Sequence, residues 1–217
     1  MKTLNINEIF YSIQGESTRA GEPCTFIRLQ GCGLRCAWCD TPYALDLHER
    51  SETLSIDEIA SRVDAVGCGL VEITGGEPLE QENVYGLMEL LCNNGYTVLI
   101  ETGGYKDISR IDRRVKRIVD FKCPSSGMSK RNLFDNAHVL AAGDEVKFVI
   151  GSEEDYAWSK SVMAEYGLSE KATVLMSPVF GAITPLQLSE WILRDRLPVR
   201  FQLQMHKFIW PPDKRGV

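Results

Sequence analysis

Three cysteines fall on one short stretch, Cys32-Gly-Leu-Arg-Cys36-Ala-Trp-Cys39. An iron–sulfur cube ordinarily takes four thiolate ligands. The spacing C-x3-C-x2-C supplies three from a single loop, which leaves one iron open to a small molecule and turns an electron store into a reaction centre. The same thiols could instead hold zinc, with a fourth ligand from Cys24 or His48. A second feature is Thr74-Gly75-Gly76-Glu77-Pro78. Paired glycines let backbone groups approach a ligand closely, although a plain strand-to-helix turn uses the same freedom. Arg28 interrupts an apolar alternation, either as an outward-facing charge or as a guanidinium fork for a carboxylate or ring. Thr41, just past Cys39, would by itself cap a turn. His206 is one of three histidines and on its own reads as structural; His48 and His138 read as surface or packing residues.

These groups need a scaffold. Short β-rich runs at 25–29, 70–74, 97–101, 117–121, 145–150, 173–176 and 199–204 alternate with helical segments. Ser55-Ile-Asp-Glu58 is a capping box, opening a helix with Ile56, Ile59, Ala60, Val63 and Val66 on one face. Further helices cover 83–92, with Gly95 placed to stop it, and 154–166. Another follows Thr184-Pro185, with threonine as cap and proline at the first helical position. Strands separated by helices pair in parallel through right-handed crossovers. Six or seven strands are too few for a full eightfold barrel of about 250 residues. The expected architecture is α/β, an incomplete TIM-type barrel with a mostly parallel sheet, or else an open doubly wound sheet. Either places chemistry at the carboxyl ends of the strands. The cysteine loop, Gly75-Gly76-Glu77-Pro78, Gly103-Gly104, Lys122–Gly127 and His206 all follow strands, and together they make a site on one rim.

The chain of 217 residues is 44% hydrophobic, enough for one core and one domain. No run approaches the roughly 18 apolar residues of a membrane span, and the polar start lacks the apolar centre of a signal peptide. A cytoplasmic protein is expected. Seven unevenly spaced cysteines do not form a disulfide framework; Cys68 and Cys92 read as small buried hydrophobes. With a net charge of −6, the sequence shows no basic cluster of the kind nucleic-acid binders usually carry. The run Arg110, Arg113, Arg114, Lys116, Arg117 is broken by Asp112 and reads as a solvated helix and its exit.

In order and on successive strands, the cysteine loop and Gly-Gly-Glu-Pro resemble the radical S-adenosylmethionine (SAM) superfamily, whose open iron chelates the methionine end of SAM. The resemblance narrows further. Phe10-Tyr-Ser-Ile-Gln-Gly-Glu16, Phe26-Ile-Arg-Leu-Gln-Gly-Cys32, Cys36-Ala-Trp-Cys-Asp-Thr41 and Gln202-Leu-Gln-Met-His-Lys207 resemble the 7-carboxy-7-deazaguanine synthase family. That family rearranges 6-carboxy-5,6,7,8-tetrahydropterin, with loss of ammonia, to the deazapurine core of queuosine precursors. The resemblance implies a single radical SAM domain over 1–217, with short N-terminal and C-terminal extensions.

It also implies site residues. Cys32, Cys36 and Cys39 would hold a [4Fe–4S] cluster. Trp38, Cys39, Asp40, Gly76, Lys122, Cys123 and Pro124 would contact SAM, and Thr41 would ligate Mg²⁺. Ile13, Gln14, Gly15, Arg28, Thr74 and His206 would bind substrate, with Glu16 as a weaker candidate. The radical derives from the cofactor, so no catalytic side chain is implied. A small electron donor such as flavodoxin or ferredoxin, and a homodimer, belong to the same expectation. Two departures stand out: several helices look abbreviated, so the barrel would lack part of its outer ring, and the tail from Phe208 to Val217 is longer than in relatives that end at the substrate. One rival, a glycyl-radical-enzyme activase, shares the cysteine spacing but needs a protein substrate, against which Gln14, Gly15, Arg28 and Thr41 argue. The other is a zinc-stabilised binding module, which gives Gly-Gly-Glu-Pro no role.

Overall fold

The computed structural model describes residues 2–47, 51–212 and 214–217. His48, one of the two residues considered as a fourth zinc ligand, lies outside them. The described strands are β1 (Thr3–Ile13), β2 (Pro23–Leu29), β3 (Glu52–Ser55), β4 (Leu70–Gly75), β5 (Thr97–Thr102), β6 (Lys116–Asp120), β7 (Glu145–Ile150), β8 (Thr173–Pro178) and β9 (Arg200–Phe201). They form one nine-stranded sheet in the order β3-β1-β2-β4-β5-β6-β7-β8-β9. From β2 to β9 every neighbouring pair is parallel, whereas β3-β1-β2 is antiparallel. The architecture is α/β with a mostly parallel sheet, and β3 and β9 stay at its two edges, so it is not closed into a barrel.

The helices start where their caps require. At α1 (Ile56–Val66) the capping box is complete: Glu58 N donates to Ser55 Oγ at 3.2 Å, and Ser55 N donates to Glu58 Oε2 at 2.8 Å. α2 (Val84–Asn93) gives way to Gly95 at φ 88°. α3 (Glu153–Tyr166) and the single turn α4 (Leu168–Lys171) connect β7 to β8. α5 (Pro185–Asp195) begins with Gln187 N donating to Thr184 Oγ1, and α6 (His206–Ile209) follows β9. Among the described residues no α-helix joins β5 to β6 or β6 to β7, so the outer ring is indeed abbreviated.

Some expectations need correction. The helix read around Arg110–Arg114 is absent. Residues 107–115 form turns in which Asp107 accepts from Ser109 N and Asp112 from Arg114 N, local bonds that compete with a helix. Arg117 is not solvated; it is buried on β6 and paired with Asp144. Cys68 and Cys92 are only half-buried. β1 escaped the sequence pattern because a register shift between Ile6 and Glu8 breaks its alternation. β9 is shorter than expected, because Gln202 and Gln204 turn their amides to Glu16 as the chain leaves the sheet.

Alternation separates two faces. Ile27, Val71, Ile73, Val98, Ile100, Val146 and Phe148 belong to the main core with Ile59, Val63, Leu87 and Val162 of the helices. The opposite parity carries a smaller apolar cluster low on the strands, Cys24, Phe26, Leu70, Leu99 and Ile118. Above it this face turns polar, through Arg28, Glu72, Thr74, Glu101, Asp120 and Lys147. The segment from Gln14 to Gly21 lies across it. Thr18 N donates to Glu145 on β7 at 3.1 Å, and Met205 N donates to Gly15 O at 2.9 Å. That strap links β1 to the far edge without strand pairing.

Candidate active site

A cavity of about 250 Å³ opens over the polar face, at the carboxyl ends of the parallel strands. Its wall includes Ile13, Gln14, Gly15, Arg28, Cys32, Cys36, Trp38, Cys39, Asp40, Thr41, Thr74, Gly76, Lys122 and His206. Two residues expected beside them are elsewhere. Cys123 is buried in the main core with its thiol 3.5 Å from Ser159 Oγ, and Pro124 opens a 3-10 turn outside the cavity lining. The tail reaches the cavity, where Lys214, Gly216 and Val217 line one side.

The cysteine loop is fixed by its backbone. Gly31 N donates to Ala44 O at 2.8 Å, Cys32 N to Leu45 O at 3.1 Å, and Ala37 N to Ser126 O at 3.0 Å. Leu34 N points at Cys32 Sγ from 3.4 Å. Burial pushes the Cys32 and Cys36 thiols up. Among the described residues no three His, Cys, Asp or Glu side chains are already drawn together as around a metal ion. The donor set still fits an iron–sulfur cluster: three soft sulfurs from one loop line one cavity, and a backbone N–H is aimed at one of them. It gives zinc no fourth ligand from Cys24. Cys24 sits at the start of β2, five residues or about 16 Å of strand below the loop's origin at Leu29, and is fully buried outside the cavity.

The glycine pair answers the question its sequence left open. Gly75 adopts φ +147°, where a Cβ would meet Leu29 N at 2.6 Å. A Cβ at Gly76 would overlap Gly31 O and stand 2.8 Å from Ala44 O. The pair therefore lets β4 press against the base of the cysteine loop, and Glu77 N donates to Gly31 O at 2.7 Å. Glu77 itself is fully buried, accepting from Leu79 N at 3.0 Å, Thr102 Oγ1 at 2.8 Å and Gly103 N at 2.8 Å. The acid of Gly-Gly-Glu-Pro is a clasp between two strand ends.

Thr41 precedes the 3-10 turn Pro42–Ala44 but makes no side-chain cap bond; its hydroxyl lies 3.9 Å from Cys39 Sγ. The capping reading of Thr41 fails. Arg28 faces the cavity, its Nε donating to Glu8 at 2.8 Å and its guanidinium 5.6 Å above the Phe10 ring. Among the described residues its Nη atoms make no hydrogen bond. His206 packs on Gly15, where a Cβ would stand 2.5 Å from Nδ1. Burial holds its imidazole below the usual range, against the pull of Glu16 and Asp40.

Sequence reasoning missed the charged floor. Lys147 is nearly buried and donates to Glu16 at 2.9 Å and to Glu101, with Asp120 at 3.8 Å. Lys122 donates to Asp120 at 2.7 Å. Gln204 donates to Glu16 at 3.0 Å and to Asp40 at 3.2 Å, and Lys207 stands 3.2 Å from Asp40. Part of the signal was present: Glu72 and Glu101 are single charges in apolar strands, as Arg28 is, whereas Asp120 and Lys147 share their strands with other charged residues.

Glu72 is the acid left over. It is 3% exposed, has no cation at ion-pair distance among the described residues, and accepts from Gln14 Nε2. Gln14 Oε1 in turn accepts from Glu16 N at 3.0 Å, so both ends of that amide are engaged. Burial, reinforced by the charges of Glu101 and Glu16, pushes the Glu72 carboxyl well up. Below about pH 4.5 it is protonated whether folded or unfolded. Above that the unfolded chain ionises first, so this group makes stability fall as pH rises toward its folded value. Glu72→Gln removes that loss. In urea denaturation near pH 5 and near pH 8, the variant is expected to gain on the wild type at the higher pH. A difference that does not change with pH would contradict a neutral Glu72.

Comparison with known proteins agrees with this geometry. The radical SAM superfamily matches residues 26–166. The chain is 51% identical over 218 residues to the 7-carboxy-7-deazaguanine synthase of Chlorobaculum tepidum, covering 99% of this chain and 97% of that protein. It is 42% identical to the synthase of Koribacter versatilis, covering 99% and 100%. The crystal structure of QueE from Escherichia coli superposes with a TM-score of 0.79 at 26% identity, covering 95% of this chain and 96% of that one. With the superfamily's model matching well over half of the chain and two synthases matched from end to end, the chain belongs to the 7-carboxy-7-deazaguanine synthase family of radical SAM enzymes.

Proposed function

We propose that this chain converts 6-carboxy-5,6,7,8-tetrahydropterin to 7-carboxy-7-deazaguanine with loss of ammonia, as a carbon–nitrogen lyase feeding queuosine precursors in the cytoplasm. The observation that carries the reading is one cavity shared by the three cysteines, the glycine pair and a polar floor of carboxylates and amides. Cys32, Cys36 and Cys39 would hold the [4Fe–4S] cluster, and Trp38, Asp40, Gly76 and Lys122 would surround SAM. When bound, these groups supply a 5′-deoxyadenosyl radical that removes hydrogen from C6 of the pterin.

The remaining work falls to the chain. Lys122 keeps its proton because Asp120 and Cys36 outweigh the burial that opposes it, so it can face a carboxylate. The Nη atoms of Arg28 are free to grip the pterin carboxylate or ring. Gly15 and Ile13 would offer backbone groups, Thr74 a hydroxyl, and His206 a neutral imidazole. Gln14 would act by fixing Glu72 and the strap rather than by offering an unoccupied amide. The uncapped Thr41 hydroxyl would ligate Mg²⁺, a hard cation that keeps few protein ligands and binds through its substrate. A single domain over 1–217, a homodimer, and flavodoxin or ferredoxin as electron donor complete the proposal.

Incubating reduced, cluster-loaded protein with SAM, Mg²⁺ and the carboxytetrahydropterin is expected to yield 7-carboxy-7-deazaguanine. Formation of 5′-deoxyadenosine without that product would overturn the assignment. Thr41→Ala is expected to raise the Mg²⁺ concentration needed for half-maximal turnover roughly tenfold or more, with the cluster's absorption unchanged. An unaltered magnesium titration would remove Thr41 from the metal.

A further inference from the structure

Some surface cations are neutralised by a neighbour, Arg62 by Glu52, Arg110 by Glu82, Arg114 by Asp112 and Lys160 by Asp195, while others, Arg113, Lys116, Arg196 and Arg200 among them, are exposed without an ion pair among the described residues. Beside the cysteine loop, cations gather around one aromatic ring. Tyr105 is the centre of this face. Its hydroxyl accepts from Gly33 N at 3.1 Å and donates to Glu80 at 2.8 Å. The Arg131 guanidinium lies 5.8 Å from its ring centroid and Lys106 Nζ 5.5 Å. Arg35 projects from the loop itself, its backbone N–H on Met128 Sδ and its guanidinium on the carbonyls of Cys32 and Leu34. Lys130 adjoins Arg131 in the same 3-10 turn.

Arg35, Lys130 and Arg131 are exposed and, among the described residues, form no ion pair. Glu80 offsets only Lys106, from 3.8 Å. A chain of net charge −6 therefore turns positive where its cysteine loop meets solvent.

We propose that this face, around Tyr105 and the exposed edge of the cysteine loop, docks an acidic one-electron carrier protein; the proposal rests on the iron–sulfur reading of Cys32, Cys36 and Cys39. Electron tunnelling falls steeply with distance, so the donor's redox group must come to the side from which these sulfurs are nearest. Gly33, Arg35 and Ala37 are the exposed positions between the cysteines. One electron leaves the carrier, which is oxidised, and enters the iron–sulfur group; no proton or other group moves. A repeated, transient encounter suits a small, charge-steered contact, where complementary potential sets the association rate.

The test compares two charge reversals in cluster-loaded protein. Lys130→Glu with Arg131→Glu alters the proposed face. Arg113→Glu with Lys116→Glu alters two exposed cations at the amino-terminal end of β6, on the opposite rim. Binding of a flavodoxin of net negative charge is followed by fluorescence anisotropy at low and high salt. The first pair is expected to weaken binding roughly tenfold or more at low salt, with the difference shrinking as salt is added, and the control pair less than about twofold. Turnover driven by dithionite, which needs no protein donor, is expected to match wild type in both. Unchanged flavodoxin binding in the first pair, or equal loss in both pairs, would overturn the docking face. Absence of SAM cleavage with dithionite in the wild type would instead overturn the iron–sulfur reading, whatever the binding result.

Discussion

Lys147→Met is expected to lower stability by about 3–5 kcal/mol, the largest single effect in the charged floor. Lys147 is 4% exposed, and its ammonium lies against Glu16, Glu101 and Asp120. Methionine fills similar volume but leaves two of these carboxylates without a cation; Lys122 still holds Asp120. Removing one partner from a buried ionic group leaves uncompensated charge, which costs far more than the pair itself contributes. The cost should shrink toward pH 5, where the orphaned acids can take up protons, and Glu101→Gln in the same protein should recover part of it. Urea denaturation of the three proteins checks this. A loss below about 1 kcal/mol would mean that water, not Lys147, satisfies these acids.

Gly76→Ala is expected to cut turnover by about a hundredfold or more. The added methyl would collide with two backbone oxygens, Gly31 O and Ala44 O, neither of which can swing aside as a side chain would. Gly31 opens the cysteine loop in a left-handed conformation, φ +101°. The collision must therefore shift the segment that carries Cys32. Catalytic groups displaced by about 1 Å typically lose about two orders of magnitude in rate. Overpacking should cost about 1–3 kcal/mol of stability besides. Single-turnover kinetics and thermal melts separate the two effects. A variant with normal turnover would show that the glycine serves only the turn.

The parallel strands and the four longer α-helices were legible in the sequence because apolar periodicity, a capping box and Thr-Pro each leave a local mark. β1 was not, since one bulge shifts its alternation midway. Nor was the turn structure at 107–115, where Asp107 and Asp112 bind their own backbone and a run of basic residues imitates a helix face. The site divides in the same way. Cys32, Cys36, Cys39, Gly75 and Gly76 announce themselves by spacing. Glu77 turned out to clasp strand ends, and Cys123 to fill the core, because a motif records which residues recur and not which way each points. The partners of Lys147 lie as far as 131 residues away in sequence. Only the strap that lays Glu16 over the face shared by Glu101 of β5 and Asp120 of β6 makes the buried lysine of β7 intelligible.

The central claim is that this cavity brings a SAM-derived radical to C6 of a pterin. Substrate carrying deuterium at C6 tests it most directly. With SAM, Mg²⁺ and reduced protein, the account predicts that the 5′-deoxyadenosine formed alongside 7-carboxy-7-deazaguanine contains one deuterium, seen by mass spectrometry. Unlabelled 5′-deoxyadenosine accompanying that product would contradict it.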